Sequence, residues 1–175
     1  MRLEQSCWTV DRGWQPAEPG SLAQAQWVLV FGSRSALAQA ELLDRLRAAY
    51  PQALVMGCST AGEIVQEQVL EATLSVVAVE FELSQIHHAQ VAIAQPEDSR
   101  NAGQALARSL PPEGLKHVFV LSEGLQVNGS ALVRGLTETL PDGVAVTGGL
   151  SGDGSDFAET WVLYNGQLKP GIALA

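Results

Sequence analysis

Short apolar runs alternate along the chain with segments whose apolar residues recur at helical spacing. The run at 26–31, "QWVLVF", is continuous, which is typical of a strand buried on both faces. The segment 35–50 follows it with a helical face made of Leu42, Leu43, Leu46, Ala49 and Tyr50. Pro51 ends this helix, and 52–59 returns as a second buried strand. This order predicts a right-handed crossover that joins two parallel strands.

The same order of elements recurs in the second half of the chain. The pattern predicts a strand at 117–124, then a helix at 130–140, then a strand at 143–154 that runs into a glycine loop. The helix has one apolar face, made of Leu132, Val133, Leu136 and Leu140. A shift of 90 positions superimposes the two halves without a gap, from Val28 on Val118 to Pro51 on Pro141, Gly62 on Gly152 and Glu63 on Asp153. We interpret this as an internal duplication, or as two halves whose similar geometry requires similar residues at matching positions.

The remaining segments complete the fold prediction. Strands are expected at 71–81 and 87–95, and a weaker helix at 98–110, where Pro111 stops it. The lead-in 1–26 contains Pro16, Pro19 and Gly20, which break any regular element. We therefore predict an α/β fold with one or more mixed, largely parallel sheets of about eight strands and three main helices. It is built from the two pseudo-repeated strand-helix-strand units, with a single domain at 27–175.

Composition narrows the class of protein. A chain of 175 residues that is 46% hydrophobic can bury one substantial core. Its net charge of -9 disfavours nucleic acid and anionic membrane surfaces, both of which attract basic proteins. The chain shows no apolar window of signal-peptide or transmembrane length. Cys7 and Cys58 lie far apart in the sequence, which favours free thiols in a reducing compartment over a disulfide. We expect a cytoplasmic protein.

Two glycine-rich loops follow predicted strands, "GCSTAGE" at 57–63 and "GGLSGDGSD" at 148–156. Loops at the carboxyl ends of strands are where α/β sheets gather their ligand contacts. Glycines let a ligand approach backbone N–H groups, hydroxyls donate and accept, and carboxylates bind an ammonium or hydroxyl group. The sequence predicts that a small polar molecule binds between these loops, at Gly57, Cys58, Ser59, Thr60, Gly62, Glu63, Gly148, Gly149, Ser151, Gly152 and Asp153.

A hydrolase with Cys58 or Ser59 as nucleophile is one alternative, because "GCSTAG" after a strand is similar to a nucleophile elbow. An elbow, however, leads into a helix, and the residues after 63 have a strand pattern instead. No histidine lies in a recognisable partner motif for a thiolate. Burial accounts for Cys58 adequately.

Metal binding is less favoured by the sequence. His87 and His88 are adjacent and would point to opposite faces of a strand, so they would not share one ion. Asp153, Asp156 and Glu159 form an acidic segment that lacks the spacing of a calcium loop. We expect no bound metal, with these acids as the only candidate cation ligands.

Three motifs together resemble the amino-terminal module of the FIST sensory domain family. They are "MGCSTAGEI" at 56–64, "VLSEGLQVNGSALVRGL" at 120–136 and "VTGGLSGDGSDFAETWVLYNG" at 146–166, and the resemblance runs from about Trp27 to the end of the chain. It implies a signal-input domain that binds small molecules such as amino acids and has no catalytic residue. The family motifs "GCSTAGE" and "GGLxGD" fall on the two glycine loops.

The resemblance also implies partners and an alternative cofactor. The family usually carries a carboxy-terminal module and acts with output domains such as histidine kinases, chemotaxis receptors or cyclic-di-nucleotide enzymes. Some members resemble haem-based nitric oxide sensors, which need an axial histidine, and here the candidates are His87, His88 and His117. A homo-oligomer or a docking scaffold is a further expectation, since four tryptophans are enough for an interface: Trp8, Trp14, Trp27 and Trp161.

Overall fold

Two β-sheets lie face to face, and helices cover their outer faces. The computed structural model describes all 175 residues of the chain. Its helices are α1 (Arg34–Leu37), α2 (Ala40–Ala49), α3 (Ser99–Ser109) and α4 (Gly129–Thr137). Its strands are β1 (Arg2–Thr9), β2 (Gly13–Gln15), β3 (Trp27–Gly32), β4 (Leu54–Ser59), β5 (Glu63–Val65), β6 (Gln68–Leu70), β7 (Leu74–Glu80), β8 (Gln90–Ala92), β9 (His117–Ser122), β10 (Ala145–Leu150), β11 (Val162–Tyr164), β12 (Gln167–Lys169) and β13 (Ile172–Leu174).

The larger sheet has seven strands in the order β12-β11-β4-β3-β7-β1-β2. At its centre the predicted parallel pair is confirmed, because β3 and β4 pair in parallel, with Val28 opposite Val55. The prediction of no regular element in the lead-in 1–26 is wrong, since β1 pairs with β7 from Arg2 to Trp8. The apolar signal of β1 is weak because it begins with exposed residues and buries Ser6 beside Cys7.

The smaller sheet has four strands in the order β10-β9-β13-β8, and β5 and β6 form a separate hairpin. Only the β3-β4 and β9-β10 pairings are parallel, and the other eight are antiparallel. The prediction of largely parallel sheets is therefore wrong, although the sheets are mixed. There are thirteen strands rather than about eight, because seven of them have three residues, too few for a periodic signal.

Three apolar layers hold the structure together. Alternate residues of β3 point to opposite sides: Val28 and Val30 pack under α1 and α2, whereas Leu29 and Phe31 face the other sheet. A second layer packs α3 and α4 on the smaller sheet. The layer between the sheets is formed by six buried residues: Leu54, Met56, Cys58, Leu121, Val162 and Leu174. Burying one such leucine contributes about 2 kcal/mol to stability, so the contact between the two sheets stabilises both of them.

The two crossover units are out of register by one residue. Val118 lies 90 positions after Val28, but the partner of Val118 is Val146, which lies 91 positions after Val55. The gapless superposition therefore does not extend into the glycine loops, and Glu63 and Asp153 are not equivalent in space. The internal duplication stays a prediction.

Candidate functional site

The structure brings the two predicted glycine loops together at the carboxyl ends of β3, β4 and β9. The backbone N–H of Gly152 donates to the carbonyl oxygen of Ser59 at 2.8 Å, and that of Ser151 donates to Ser122 at 2.8 Å. The N–H of Thr60 donates to the carbonyl of Gly32 at 3.0 Å. The Gly152–Ser59 bond connects one sheet to the other, and the other two each hold a loop to its own sheet, so the two loops lie side by side.

Gly57 and Gly148 allow neighbouring strands to approach closely. A Cβ atom on Gly57 would lie 1.8 Å from the carbonyl oxygen of Val30, and one on Gly148 would lie 1.8 Å from that of Val120. Gly148 also has a φ of +141°, which side chains rarely adopt. These two glycines are therefore explained by strand packing. Gly149, by contrast, has open space around its α-carbon.

Cys58 and Ser59 are buried within β4. The thiol of Cys58 faces the layer between the sheets, and burial raises its pKa to about 12. A nucleophilic thiol requires the opposite, a lowered pKa in a positive environment. The hydroxyl oxygen of Ser59 accepts the backbone N–H of Trp161 at 2.9 Å. Cys58 thus packs between the two sheets, and Ser59 links β4 to the segment before β11.

Glu63 is a buried carboxylate whose hydrogen bonds stay within the first loop and its neighbour. One oxygen accepts the hydroxyl of Thr60 at 2.6 Å, and the other accepts the hydroxyl and the backbone N–H of Thr73 at 2.6 and 3.2 Å. The residue is 1% exposed. Gly62 lies beside it, where a Cβ would touch Val69 at 3.1 Å. The carboxylate therefore joins the loop to the start of β7.

Asp153 shapes the second loop. Its Oδ2 accepts the backbone N–H groups of Ala158 and Glu159 at 2.7 and 3.0 Å. Hydrogen bonds from Glu159 and Ala158, together with the charge of Arg34, hold the pKa of Asp153 below its usual range. The nearest Arg34 nitrogen is 3.7 Å away. Asp153 thus folds residues 153–159 into a turn and directs it toward an arginine.

Arg34, which the sequence reasoning missed, lies at the centre of the acidic segment. Its guanidinium is 3.9 Å from Asp156 and 3.7 Å from Glu159, and it lies 5.3 Å from the ring centre of Trp161. None of these contacts is a hydrogen bond, and the buried Nε has no partner. The sequence places Arg34 directly after the strand at 27–32, at the same carboxyl edge, but nothing near it indicates its contact with the distant acids.

A second buried carboxylate, Glu123, was also missed. It lies just after β9 and is 4% exposed. It accepts the backbone N–H groups of Leu125 and Gln126 at 2.6 Å each and the hydroxyl of Thr160 at 2.9 Å. It belongs to the segment "VLSEGLQ", which the family resemblance marked as a motif. Glu123 and Glu63 therefore have similar roles, each satisfied by neighbouring loop donors.

The three histidines lie away from the glycine loops. His87 and His117 line a cavity of about 540 Å³ at the amino ends of β3, β4 and β9. His117 also hydrogen bonds to the hydroxyl of Thr147 at 2.7 Å, and Nδ1 of His88 lies 3.3 Å from the hydroxyl of Tyr164.

No group of three or more His, Cys, Asp or Glu side chains is arranged to hold a metal ion. None of the four helices is long and apolar enough to cross a membrane.

Comparison with known families gives a match that covers most of the chain. The description of the matching family is FIST N domain, and the match extends over residues 26–175. No curated protein and no solved structure matches the chain significantly. The matched range contains both glycine loops, Arg34 and Glu123. The chain therefore belongs to the FIST N domain family, a family of sensory domains.

Proposed function

We propose that this chain is a ligand-sensing input domain that binds a small zwitterion, of the amino-acid class, at the surface formed by its two glycine loops. Membership of a sensory family supports a ligand-binding role. The hydrogen bond between Gly152 and Ser59 supports a single binding surface rather than two separate loops. The ligand class follows from Arg34 and its acidic neighbours.

Arg34 carries the proposal. A guanidinium has five N–H donors and matches a carboxylate with two parallel hydrogen bonds. Here it makes ion pairs at 3.7–3.9 Å but donates no hydrogen bond within the protein. Its side chain is 30% exposed, so a ligand carboxylate can reach it. A ligand carboxylate would accept hydrogen bonds from the Arg34 guanidinium, which the surrounding acids do not.

The acids beside Arg34 provide the second half of the recognition. Asp156 and Glu159 have side chains 69% and 47% exposed, so they are free to accept an ammonium group. Asp153, only 3% exposed, orients the turn and Arg34 instead. Glu63 is buried, so we assign it to holding the first loop rather than to direct contact with the ligand. The arrangement favours a molecule that carries both charges close together.

A thermal-shift screen of the intact chain against the common amino acids tests this function. A ligand present at about 100 times its Kd raises the free energy of unfolding by roughly 2.7 kcal/mol. We expect Arg34→Gln to abolish the shift and Arg45→Gln, which removes an exposed ion pair with Glu18, to retain it. Glu159→Gln should weaken binding of the amino acid but not of its deaminated acid. The absence of a shift with every amino acid, or an unchanged shift in Arg34→Gln, would contradict the proposal.

A haem-based gas sensor is the second candidate, favoured by one observation: His87 lies on an apolar cavity. An axial histidine in an apolar pocket is what haem ligation requires. His87 has no hydrogen-bond partner among the side chains described, whereas His88 and His117 each have one. Titration with hemin tests this: a Soret band that His87→Ala removes and His88→Ala retains would support it. An unshifted hemin spectrum would contradict it.

The cellular setting completes the proposal. We expect the domain to act in the cytoplasm and to pass its signal to a carboxy-terminal FIST module or to an output domain such as a kinase. A homo-oligomer is a further expectation, which sedimentation at several protein concentrations would test. Nucleic acid and membranes are not expected partners, in view of the net charge of -9.

A further inference from the structure

We infer that the open edge of β10 is a docking site for an extended, uncharged segment of a partner polypeptide, which joins the smaller sheet as a fifth strand. β10 is the last strand of that sheet and pairs only with β9. None of its six residues is fully buried. This edge is distinct from the proposed ligand surface around Arg34.

The backbone of β10 has unpaired hydrogen-bonding groups along this edge. The N–H groups of Ala145 and Ser151 donate to carbonyl oxygens on the β9 side, at 3.2 and 2.8 Å. In a parallel pair, alternate residues direct their backbone groups to the same neighbour. The N–H and C=O groups of Val146, Gly148 and Leu150 therefore point away from β9. Another strand has backbone groups at the spacing that pairs with them.

The edge of β10 also lacks the features that protect exposed strands from pairing. Natural sheet edges are kept short, or they carry charged residues or proline. The other three edge strands, β2, β8 and β12, have three residues each, and β12 includes Lys169. β10 has six residues, "AVTGGL", with no charge and no proline. An unprotected edge of this length favours the addition of a strand.

A strand beside β10 would cover an open part of the larger sheet. β4 faces β9 and β11 faces β13, so β10 lies opposite β3, and β7, β1 and β2 extend beyond it. On the side of these strands that faces away from the helices, Leu3 is 60% exposed, Gln5 is exposed and Val77 is half-buried. One face of the added strand would pack on these residues.

The helix side of the edge is also apolar. Leu150 is exposed and lies against Gly129 at the start of α4, and Val133, one turn later, is exposed as well. The other face of the added strand would pack on this side. Strands that are buried on both faces are apolar along their whole length, so we expect an apolar partner segment.

The side chains that line the open space exclude a charged segment. They lie at alternate positions of β1, β7 and β10, and none is charged: Leu3, Gln5, Val77, Ala145, Thr147 and Gly149. A charged partner side chain buried among them would have no ion to pair with, which is strongly destabilising. In a chain with a net charge of -9, this uncharged strip is complementary to uncharged residues.

A second copy of this chain does not fit the site. Two β10 strands that pair about a twofold axis would place both larger sheets on the same side of the joined smaller sheets. Because neighbouring strands are about 4.8 Å apart, β7 of each copy would occupy the position of β3 in the other. The partner is therefore a different polypeptide segment, with room for it over β7, β1 and β2.

A peptide of seven alternating valine and threonine residues, made soluble by an uncharged ethylene glycol tail, probes this edge in the intact chain. We expect it to slow hydrogen exchange of the Val146, Gly148 and Leu150 N–H groups about 10-fold or more. The N–H groups of Gln90 and Ala92, which point outward from the opposite edge of the same sheet, should be unaffected. The same peptide with every amide N-methylated should have no effect, because it has no N–H to donate.

Two pairs of variants test the uncharged strip by peptide titration. Gly149→Glu projects a carboxylate into open space beside the edge, and Gln5→Glu adds a charge to the exposed part of β1. Each should weaken peptide binding about 3- to 10-fold. The controls are Gly149→Ala, which adds no charge, and Gln167→Glu in β12, at the far edge of the larger sheet. Both controls should bind as the wild type does.

The inference is overturned if the β10 amides gain no protection, if Gln90 and Ala92 gain as much, or if the N-methylated peptide acts equally. It is also overturned if the charged variants bind as well as their controls. Protection that rises with protein concentration in the absence of peptide would identify a second copy as the occupant, against this inference. A failed amino-acid screen would leave these results unaffected, because the peptide site does not include Arg34 or its acidic neighbours.

Discussion

The backbone N–H of Gly152 donates a hydrogen bond to the carbonyl oxygen of Ser59 at 2.8 Å, and this bond joins the loop after β10 to the end of β4. Ser59 is at the same time bonded to Trp161, so three segments of the chain meet at one residue. The proposed ligand contacts, Arg34 and Glu159, flank this junction. A ligand bound to these two side chains, as proposed, would therefore lie beside the junction between the two sheets.

Substitution of Gly57 should be far more destabilising than substitution of Gly149. In Gly57→Ala the new Cβ would lie 1.8 Å from the carbonyl oxygen of Val30, so β3 and β4 would have to separate. We expect a loss of about 3 kcal/mol in the free energy of unfolding. Gly149→Ala places a methyl group in open space and should change stability by less than about 0.5 kcal/mol. Urea denaturation of both variants measures this. Equal midpoints would contradict the strand-packing explanation.

Removal of the Glu63 charge should destabilise the whole domain. Glu63→Gln replaces an oxygen that accepts hydrogen bonds with an amide that donates, facing the hydroxyl and N–H of Thr73 or the hydroxyl of Thr60. Because the site is buried, we expect a loss of about 2 to 3 kcal/mol in the free energy of unfolding. The control is Glu71→Gln, at an exposed position nearby. A Glu63→Gln protein as stable as Glu71→Gln would show that the carboxylate does not hold the loop.

Residues whose environment is local were well predicted from the sequence. The apolar spacing of Leu42, Leu43 and Leu46 placed α2, and the continuous run 26–31 placed β3, because helix and strand periodicity depend on near neighbours. The two glycine loops were also found, because glycine and hydroxyl residues after a strand are a local signal.

Features that depend on distant residues were not predictable in the same way. Arg34 gains its significance from Asp153 and Glu159, more than 100 positions away, and nothing near Arg34 in the sequence indicates that contact. The direction of β11 beside β4 is likewise set by tertiary packing. The burial of Glu63 contradicts its polar character, and only the presence of Thr60 and Thr73 around it makes that burial tolerable.

The thiol of Cys58 should be inert in the folded protein. Burial raises its pKa to about 12, so at pH 8.5 far less of it is thiolate than of an ordinary cysteine. We expect no modification of Cys58 by iodoacetamide at pH 8.5 over hours in buffer, and complete modification in urea. Cys58→Ala should retain the fold and any ligand-induced thermal shift. Rapid labelling of Cys58 in native protein would revive the hydrolase alternative.

Stability should fall in acid partly because of Glu4. Burial acts to raise the pKa of Glu4, but the backbone N–H groups of Leu22 and Ser21 and the hydroxyl of Tyr50 outweigh it and hold the pKa below its ordinary value. The unfolded chain therefore takes up this proton first as the pH falls. The contribution of Glu4 is fully present above about pH 5 and is lost as the pH falls through the lowered pKa of the folded state.

Urea unfolding between pH 7 and pH 3 checks this linkage. Glu4→Gln should lower the free energy of unfolding at pH 7 and flatten its decline below about pH 5, because the variant has no proton to take up at this position. Glu67→Gln, at an exposed position in the turn between β5 and β6, is the matched control and should follow the wild-type curve more closely. The Gly20, Ser21 and Leu22 N–H groups, all bonded to Glu4, should lose protection against hydrogen exchange in acid, measured relative to their intrinsic exchange rates at each pH. If Glu4→Gln and the wild type decline in parallel, Glu4 does not contribute to the acid sensitivity of the domain.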